Sequence, residues 1–331
     1  MHTVFDTIPL LWTGTARPTA RGLGLILLTA VLVSSTACGG STADTGDATS
    51  TSRATTTTIL PAAPTSMSSA PSTTAAPRPT TTIDALIGVP GERVHVRCVG
   101  QGDTTVLLIS GFGGGAEGWA TIEPAIAARA RVCSYERPGT GQSDPATSTS
   151  TFTTQAMDLH ALLGAIGEPG PYIVVGHSFD GAAAVTFASR FADEVAGLVL
   201  VDASPTRWPA AICAVPDDGS DAAATLRSVC GMFAPTGNSE HLDAVAAFAE
   251  ADEIVSLGSL PMAVITAARR GLPADLATAE VDRLNAAWHE GQRHWMALSS
   301  DAHLVTVEHT GHHIEIDQPS VVIDAISHLL P

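Results

Sequence analysis

The feature that most restricts the fold of this chain is a regular alternation along its second part. Short apolar or β-branched runs recur at 93–99, 105–110, 130–135, 172–175, 197–202, 261–266 and 303–308. Residues 118–130, 153–166, 181–191, 279–298 and 319–330 carry apolar side chains at helical spacing. Several of the runs are apolar without alternation, as parallel strands buried on both faces require. Strand and helix in turn predict an α/β domain, a mostly parallel sheet with helices on both faces. Residues 203 to about 260 break the rhythm. They hold Trp208, Pro216, Asp217-Asp218-Gly219 and a helical piece near 241–251, and are read as an insertion over the strand ends, a lid. No internal repeat is visible.

Length alone would allow two domains in 331 residues. Only the stretch 84–331 reads as folding sequence, which leaves one large α/β domain with a sizeable core. A hydrophobic share of 45% with 15% charged residues excludes a wholly disordered chain. The formal charge is −17 and there is no lysine, so every base among the 16 is arginine. Such a chain is a poor match for nucleic acid, whose phosphates demand a basic face. The surplus acid suits an exported, soluble domain.

Upstream, Arg17 and Arg21 precede the apolar run 23–33. Eleven helical residues span roughly 16 Å, about half a bilayer core, which is the length of a signal h-region and too short for a permanent span. Ser34-Ser35-Thr36-Ala37-Cys38-Gly39-Gly40 follows and resembles a bacterial lipoprotein signal, although Ser35 stands where that pattern has leucine. The resemblance implies a signal peptide over 1–38 and acyl chains on Cys38. At about 0.8 kcal/mol per buried CH₂, two or three chains anchor stably where one does not. An ordinary secretory signal with an incidental cysteine is the other reading. Residues 39–83 contain 21 Ser or Thr among 45, with five prolines, and are expected to form an extended, flexible stalk. The expected location is the outer face of the cytoplasmic membrane.

Export makes the remaining cysteines, Cys98, Cys133, Cys213 and Cys230, an even set in an oxidising compartment. Cys98 and Cys133 lie on predicted strands, while Cys213 and Cys230 share the insertion, read as irregular. The local pairing Cys98–Cys133 and Cys213–Cys230 is expected, with four free thiols as the alternative.

The chemistry gathers at strand-to-helix turns. In Val174-Val175-Gly176-His177-Ser178-Phe179-Asp180-Gly181 a buried strand runs into a Gly-x-Ser turn and then an alanine-rich helix. That layout lifts a serine hydroxyl above the sheet edge. With it the chain resembles the α/β-hydrolase family over about residues 92 to 330. Three further motifs follow the family order. Ile109-Ser110-Gly111-Phe112-Gly113-Gly114-Gly115 is similar to its oxyanion loop after the third strand. Tyr135-Glu136-Arg137-Pro138-Gly139-Thr140-Gly141-Gln142-Ser143-Asp144 is similar to its Asp-x-Arg-Gly-x-Gly-x-Ser turn, and Gly311-His312 to its catalytic histidine loop. The resemblance implies an eight-stranded, mostly parallel sheet with a lid between strands 6 and 7.

Two positions depart from the pattern. Asp180 stands where the elbow usually has glycine and is expected either to turn outward or to distort the turn, with Gly181 supplying slack. Ser110 replaces a structural histidine.

The resemblance implies Ser178 as nucleophile, His312 as base, and the backbone N–H groups of Phe112 and Phe179 as oxyanion donors. The acid is Asp202, at the end of the sixth strand, with Asp275 as the alternative. A serine nucleophile disfavours dehalogenase and epoxide hydrolase chemistry, which relatives perform with aspartate. No cofactor or metal is expected. His309, His312 and His313 with Glu315 lack ligand spacing, and His313 is expected at the pocket or its rim. His241, His289, His294 and His303 are expected to be surface or partly buried residues. Trp119, Trp288 and Trp295 are assigned to packing, and Trp208, Met232 and Phe233 to the pocket walls.

The leading expectation is therefore a monomeric, lipid-anchored serine hydrolase cleaving small-molecule esters, touching the membrane through its anchor only. A catalytically inactive binding lipoprotein, motivated by Asp180, and an exported serine peptidase of the same fold remain open.

Overall fold

A computed structural model describes residues 79–331. The signal peptide, Cys38 and the stalk up to residue 78 lie outside the described residues. Eight strands form one sheet: β1 (Ile83–Gly88), β2 (Arg93–Val99), β3 (Thr105–Ile109), β4 (Arg131–Tyr135), β5 (Tyr172–His177), β6 (Val195–Val201), β7 (Met262–Ala267) and β8 (Ala302–Val307). Their order is β1-β2-β4-β3-β5-β6-β7-β8. β2 pairs antiparallel with β1 and β4, and every other pairing is parallel.

The apolar strand runs explain why the sheet is covered on both sides. Leu107, Val174, Leu198, Leu200, Met262 and Val264 enter one core. Their chain neighbours Val106, Leu108, Ile173, Val175, Val199 and Ala263 enter the other. Side chains of period two thus feed two cores at once. The first core is closed by α2 (Phe152–Ile166), α3 (Phe179–Arg190) and α7 (Thr278–Ala297), the second by α1 (Glu123–Ala127) and α9 (Pro319–Leu329).

Three elements differ from the sequence reading. β1 begins at Ile83, one residue inside the stretch assigned to the stalk, and its register brings Ile83 opposite Cys98. Residues 118–130 hold only a 3-10 turn and the short α1, because Pro124 lacks an N–H and must sit in a helix's first turn. The insertion is less irregular than expected: it contains α4 (Trp208–Cys213), α5 (Asp221–Gly231) and α6 (Ala244–Asp252). Ser220 caps α5 by accepting from the Ala223 N–H, and Asp243 caps α6 by accepting from the Ala246 N–H.

Two disulfides link these parts. Cys98 joins Cys133 directly across the β2–β4 pairing, and Cys213 joins Cys230, tying α4 to α5. Closing the 17-residue separation of the second is worth about 3 kcal/mol on loop-entropy grounds. Among the described residues no helix is long and apolar enough to cross a membrane.

Candidate active site

The site is built at the carboxyl ends of β3, β5 and β6. β5 ends at His177 and α3 starts at Phe179, so Ser178 alone makes the turn, with φ 55° and ψ −128°. A non-glycine residue at positive φ carries strain, here of about 1–3 kcal/mol, which the surroundings must offset. They do so through the backbone. The Ser178 N–H donates to the Val201 carbonyl at 3.1 Å, and the Ser178 carbonyl accepts from Gly181 at 3.1 Å and Ser204 at 2.8 Å. Close packing fixes the flanks. A Cβ on Gly176 would lie 2.5 Å from the Asp180 carbonyl oxygen, and one on Gly181 would lie 2.3 Å from the Ala203 Cβ.

Ser178, His312 and Asp202 are brought together. Ser178 Oγ donates to His312 Nε2 at 2.8 Å, and His312 Nδ1 donates to Asp202 Oδ2 at 2.7 Å. His312 lies on the loop after β8, just ahead of α8 (Ile314–Asp317). Asp202 Oδ1 accepts three more bonds: from Thr266 Oγ1 at 3.0 Å, the Ala267 N–H at 3.1 Å and Trp288 Nε1 at 3.1 Å. Burial alone would raise this carboxyl. The His312 hydrogen bond, Arg270 and the Ala267 N–H outweigh it and bring the carboxyl down to about 2. Burial keeps the His312 imidazole neutral, the form that accepts a proton. Asp275 is elsewhere, where its carboxylate accepts from the Ala222 N–H at the start of α5.

Trp288 is therefore more than packing, since its indole N–H is spent on Asp202. Its ring also carries the Arg270 guanidinium, 3.2 Å from its centroid. Sequence alone offered no pointer to the Asp202 contact, because Trp288 lies 86 residues from Asp202 in the chain.

Beside this triad lies a cleft of about 410 Å³. Its walls come from residues 110–115 and 117–119, from His177 and Ser178, and from His312, His313, Glu315 and Ile316. Phe112 and Phe179 stack with ring centroids 5.3 Å apart. The Phe179 N–H belongs to the first turn of α3, where amides have no intrahelical acceptor and point at any anion. Ser110 clasps the glycine loop by donating to the Gly115 carbonyl at 2.6 Å.

The insertion contributes none of the cleft-lining residues, which corrects the assignment of Trp208, Met232 and Phe233 to the walls. Trp208 packs edge-on against Trp288, Phe233 lies against Phe179, and Met232 caps α5 half-buried. Large apolar side chains in residues 203–260 complete the core over α3 and α7, and so are withdrawn from the cleft.

The structure also revises Asp180. Its carboxyl turns inward, fully buried, and faces Arg137 Nη1 at 3.5 Å without distorting the turn. The motif after β4 supplies a cation that the elbow motif, read alone, does not reveal.

His313 lines the cleft as expected, and His177, which the sequence did not single out, joins it and Glu315 there. His177, His313 and Glu315 bring their ligand atoms within 4.8 Å of one another. Glu315 Oε1 accepts from His313 Nδ1 at 2.9 Å, and His177 Nε2 donates to the His312 carbonyl at 3.2 Å. His309, by contrast, is exposed and outside this group.

Residues 104–220 match the profile of the "alpha/beta hydrolase fold" family. The 2-hydroxy-6-oxononadienedioate/2-hydroxy-6-oxononatrienedioate hydrolase 1 of Dechloromonas aromatica (strain RCB) is 36% identical over 132 residues, 38% of this chain and 45% of that one. The chain thus spans less than half the length of this curated relative. Among solved structures, wild-type Cfl2 from Burkholderia cenocepacia superposes with a TM-score of 0.54 at 20% identity, covering 75% of this chain and 95% of that one. A thermophilic esterase from Thermogutta terrifontis gives 0.51 at 20% identity, covering 75% and 97%. With the sheet order, the single-residue elbow after β5 and the histidine loop after β8, these likenesses establish that the described domain has the α/β-hydrolase fold.

Proposed function

We propose that this chain is a serine hydrolase that cleaves carboxylic esters through an acyl-enzyme. One observation carries the reading: a continuous hydrogen-bonded line from Ser178 Oγ through His312 to Asp202, opening on a cleft. Ser178 Oγ attacks the ester carbonyl while His312 Nε2 takes its proton. The imidazolium, paired with Asp202, hands that proton to the departing alkoxide. Water then repeats the sequence on the acyl-serine and releases the acid. The Phe112 and Phe179 N–H groups hold the oxyanion, each worth roughly 10²–10³ in rate.

The Dechloromonas relative is named for a dienedioate, a doubly charged substrate. The cleft of this chain argues for a neutral one. Among the described residues its walls hold Glu117 and Glu315 and no arginine, and the chain has no lysine. A dicarboxylate would enter without a fixed cation to pair with. The inward Asp180 also leaves the bend intact, which weakens the case for an inactive binding protein.

A fluorophosphonate probe should add to Ser178, located by mass spectrometry, and a panel should show turnover of neutral p-nitrophenyl esters above dioates and peptide amides. Absence of the adduct rejects the enzyme reading. Turnover confined to dioates or to peptides rejects the ester.

The proposal includes tethering through acylated Cys38 to the outer face of the cytoplasmic membrane, supported by sequence alone. In a bacterial host, Cys38→Ser should move the protein from the membrane fraction to the medium. Retention on the membrane rejects the anchor.

A further inference from the structure

One buried charge cluster has no task in that reaction, and it surrounds the residue that departs from the usual elbow. Asp180 follows Phe179 in the first turn of α3, and both its carboxyl oxygens are buried without a hydrogen-bond donor among the described residues. It faces Arg137, whose guanidinium has other partners. Arg137 donates to the Ser110 carbonyl at 2.7 Å, the Gly111 carbonyl at 3.0 Å and Glu240 Oε2 at 2.6 Å. Glu240, which reaches in from the insertion, accepts from the Gly113 N–H at 2.6 Å. Arg137 and Glu240 therefore bracket Phe112, holding the carbonyls before it and the amide after it. Asp180 brings the same guanidinium to the residue beside Phe179.

We propose that Asp180 regulates the hydrolase by competing for Arg137: its carboxylate draws the guanidinium off the loop of Phe112 and so disturbs the spacing of the two oxyanion donors. The inference rests on the hydrolase reading of Ser178.

Two carboxylates share one buried guanidinium, which leaves one negative charge too many for a low-dielectric site. One carboxyl keeps a proton. Glu240 receives bonds from Arg137 and Gly113, whereas Asp180 receives none. Asp180 is thus the protonated partner. Burial raises its carboxyl to about 7, with Arg137 opposing and Glu240 reinforcing. The other group on this side is Tyr135 of β4, itself within the field of Asp158 on α2.

While Asp180 is neutral, Arg137 belongs to Glu240 and the loop carbonyls, the bonding observed. Once ionised, Asp180 becomes a second carboxylate on that cation, draws it toward the elbow and loosens its hold on Ser110 and Gly111. Oxyanion stabilisation then falls as pH rises through about 7. A displaced donor loses part of what a deleted one does, about tenfold.

The test uses the full chain, p-nitrophenyl butyrate and pH 5.5 to 8.5. In the wild type kcat should fall about tenfold as pH rises through about 7, with KM steady. Asp180→Asn should abolish that fall and keep the acid-side rate. Glu240→Gln should move the fall to lower pH, because Asp180 becomes the only carboxylate on Arg137. Melting temperature gives a readout independent of catalysis. The folded carboxyl binds its proton more tightly than an unfolded one at 3.8, so the stability that Asp180 contributes is lost between about pH 4 and 7, and the difference in melting temperature between wild type and Asp180→Asn should change over that range. A fall in kcat that persists in Asp180→Asn, or that stays put in Glu240→Gln, overturns the proposal. A stability difference without any wild-type turnover or Ser178 adduct would overturn the hydrolase reading instead.

Discussion

Ser178→Ala should lower kcat for a small neutral ester by about 10⁶, to a rate set by the oxyanion donors and binding alone. His312 keeps its bond to Asp202 in this variant but has no hydroxyl to deprotonate, so only a water aligned by chance is left to attack. Stability should move the other way from activity in a companion variant. The backbone at 178 holds φ 55° and ψ −128°, which glycine adopts without the Cβ penalty. Ser178→Gly should therefore raise the melting temperature, by the equivalent of about 1 kcal/mol, while losing as much activity as the alanine variant. Equal stability in the glycine and alanine variants would show that the turn is unstrained. A Ser178→Ala rate within tenfold of wild type would show that another group is the nucleophile.

The sheet was legible because its strands announce themselves as unbroken apolar runs, and seven of the eight appear within two residues of their expected limits. β1 escaped for a physical reason. Ile83–Gly88 alternates half-buried and exposed positions directly after a stretch rich in Ser, Thr and Pro, so it lacks the unbroken apolar run that marks the other strands. It becomes a strand by pairing with β2. The elbow and the histidine loop were legible because each is a local turn with its own residue pattern. What surrounds them was not, because it depends on contacts across the chain. Arg137 reaches Glu240 over 103 positions, and Trp288 reaches Asp202 over 86. For the same reason the insertion misled: its aromatics have the apolar character of pocket walls, but the core over α3 takes them.

Asp202→Asn should lower kcat by about 10⁴, whereas Asp275→Asn should leave it near wild type. The size follows from how the carboxylate is held. Oδ1 accepts from Thr266 Oγ1, the Ala267 N–H and Trp288 Nε1, so an asparagine must keep its carbonyl oxygen on that side. Its amide then faces His312 Nδ1 and donates where Asp202 Oδ2 accepted. The imidazole is forced into the opposite tautomer, with its proton on Nε2, and it presents a donor to Ser178 Oγ in place of an acceptor. The base is lost while the fold survives, and a drop of four decades corresponds to about 5.5 kcal/mol of transition-state stabilisation. Asp275→Asn removes only the charge that receives the Ala222 N–H at the start of α5, a capping contact worth about 1 kcal/mol at most. Trp288→Phe offers an internal control. It frees Oδ1 from one of its three donors, so the double variant with Asp202→Asn should regain part of the lost rate as the amide becomes free to flip. An Asp202→Asn enzyme as fast as wild type, beside a crippled Asp275→Asn enzyme, would move the acid to the other carboxylate.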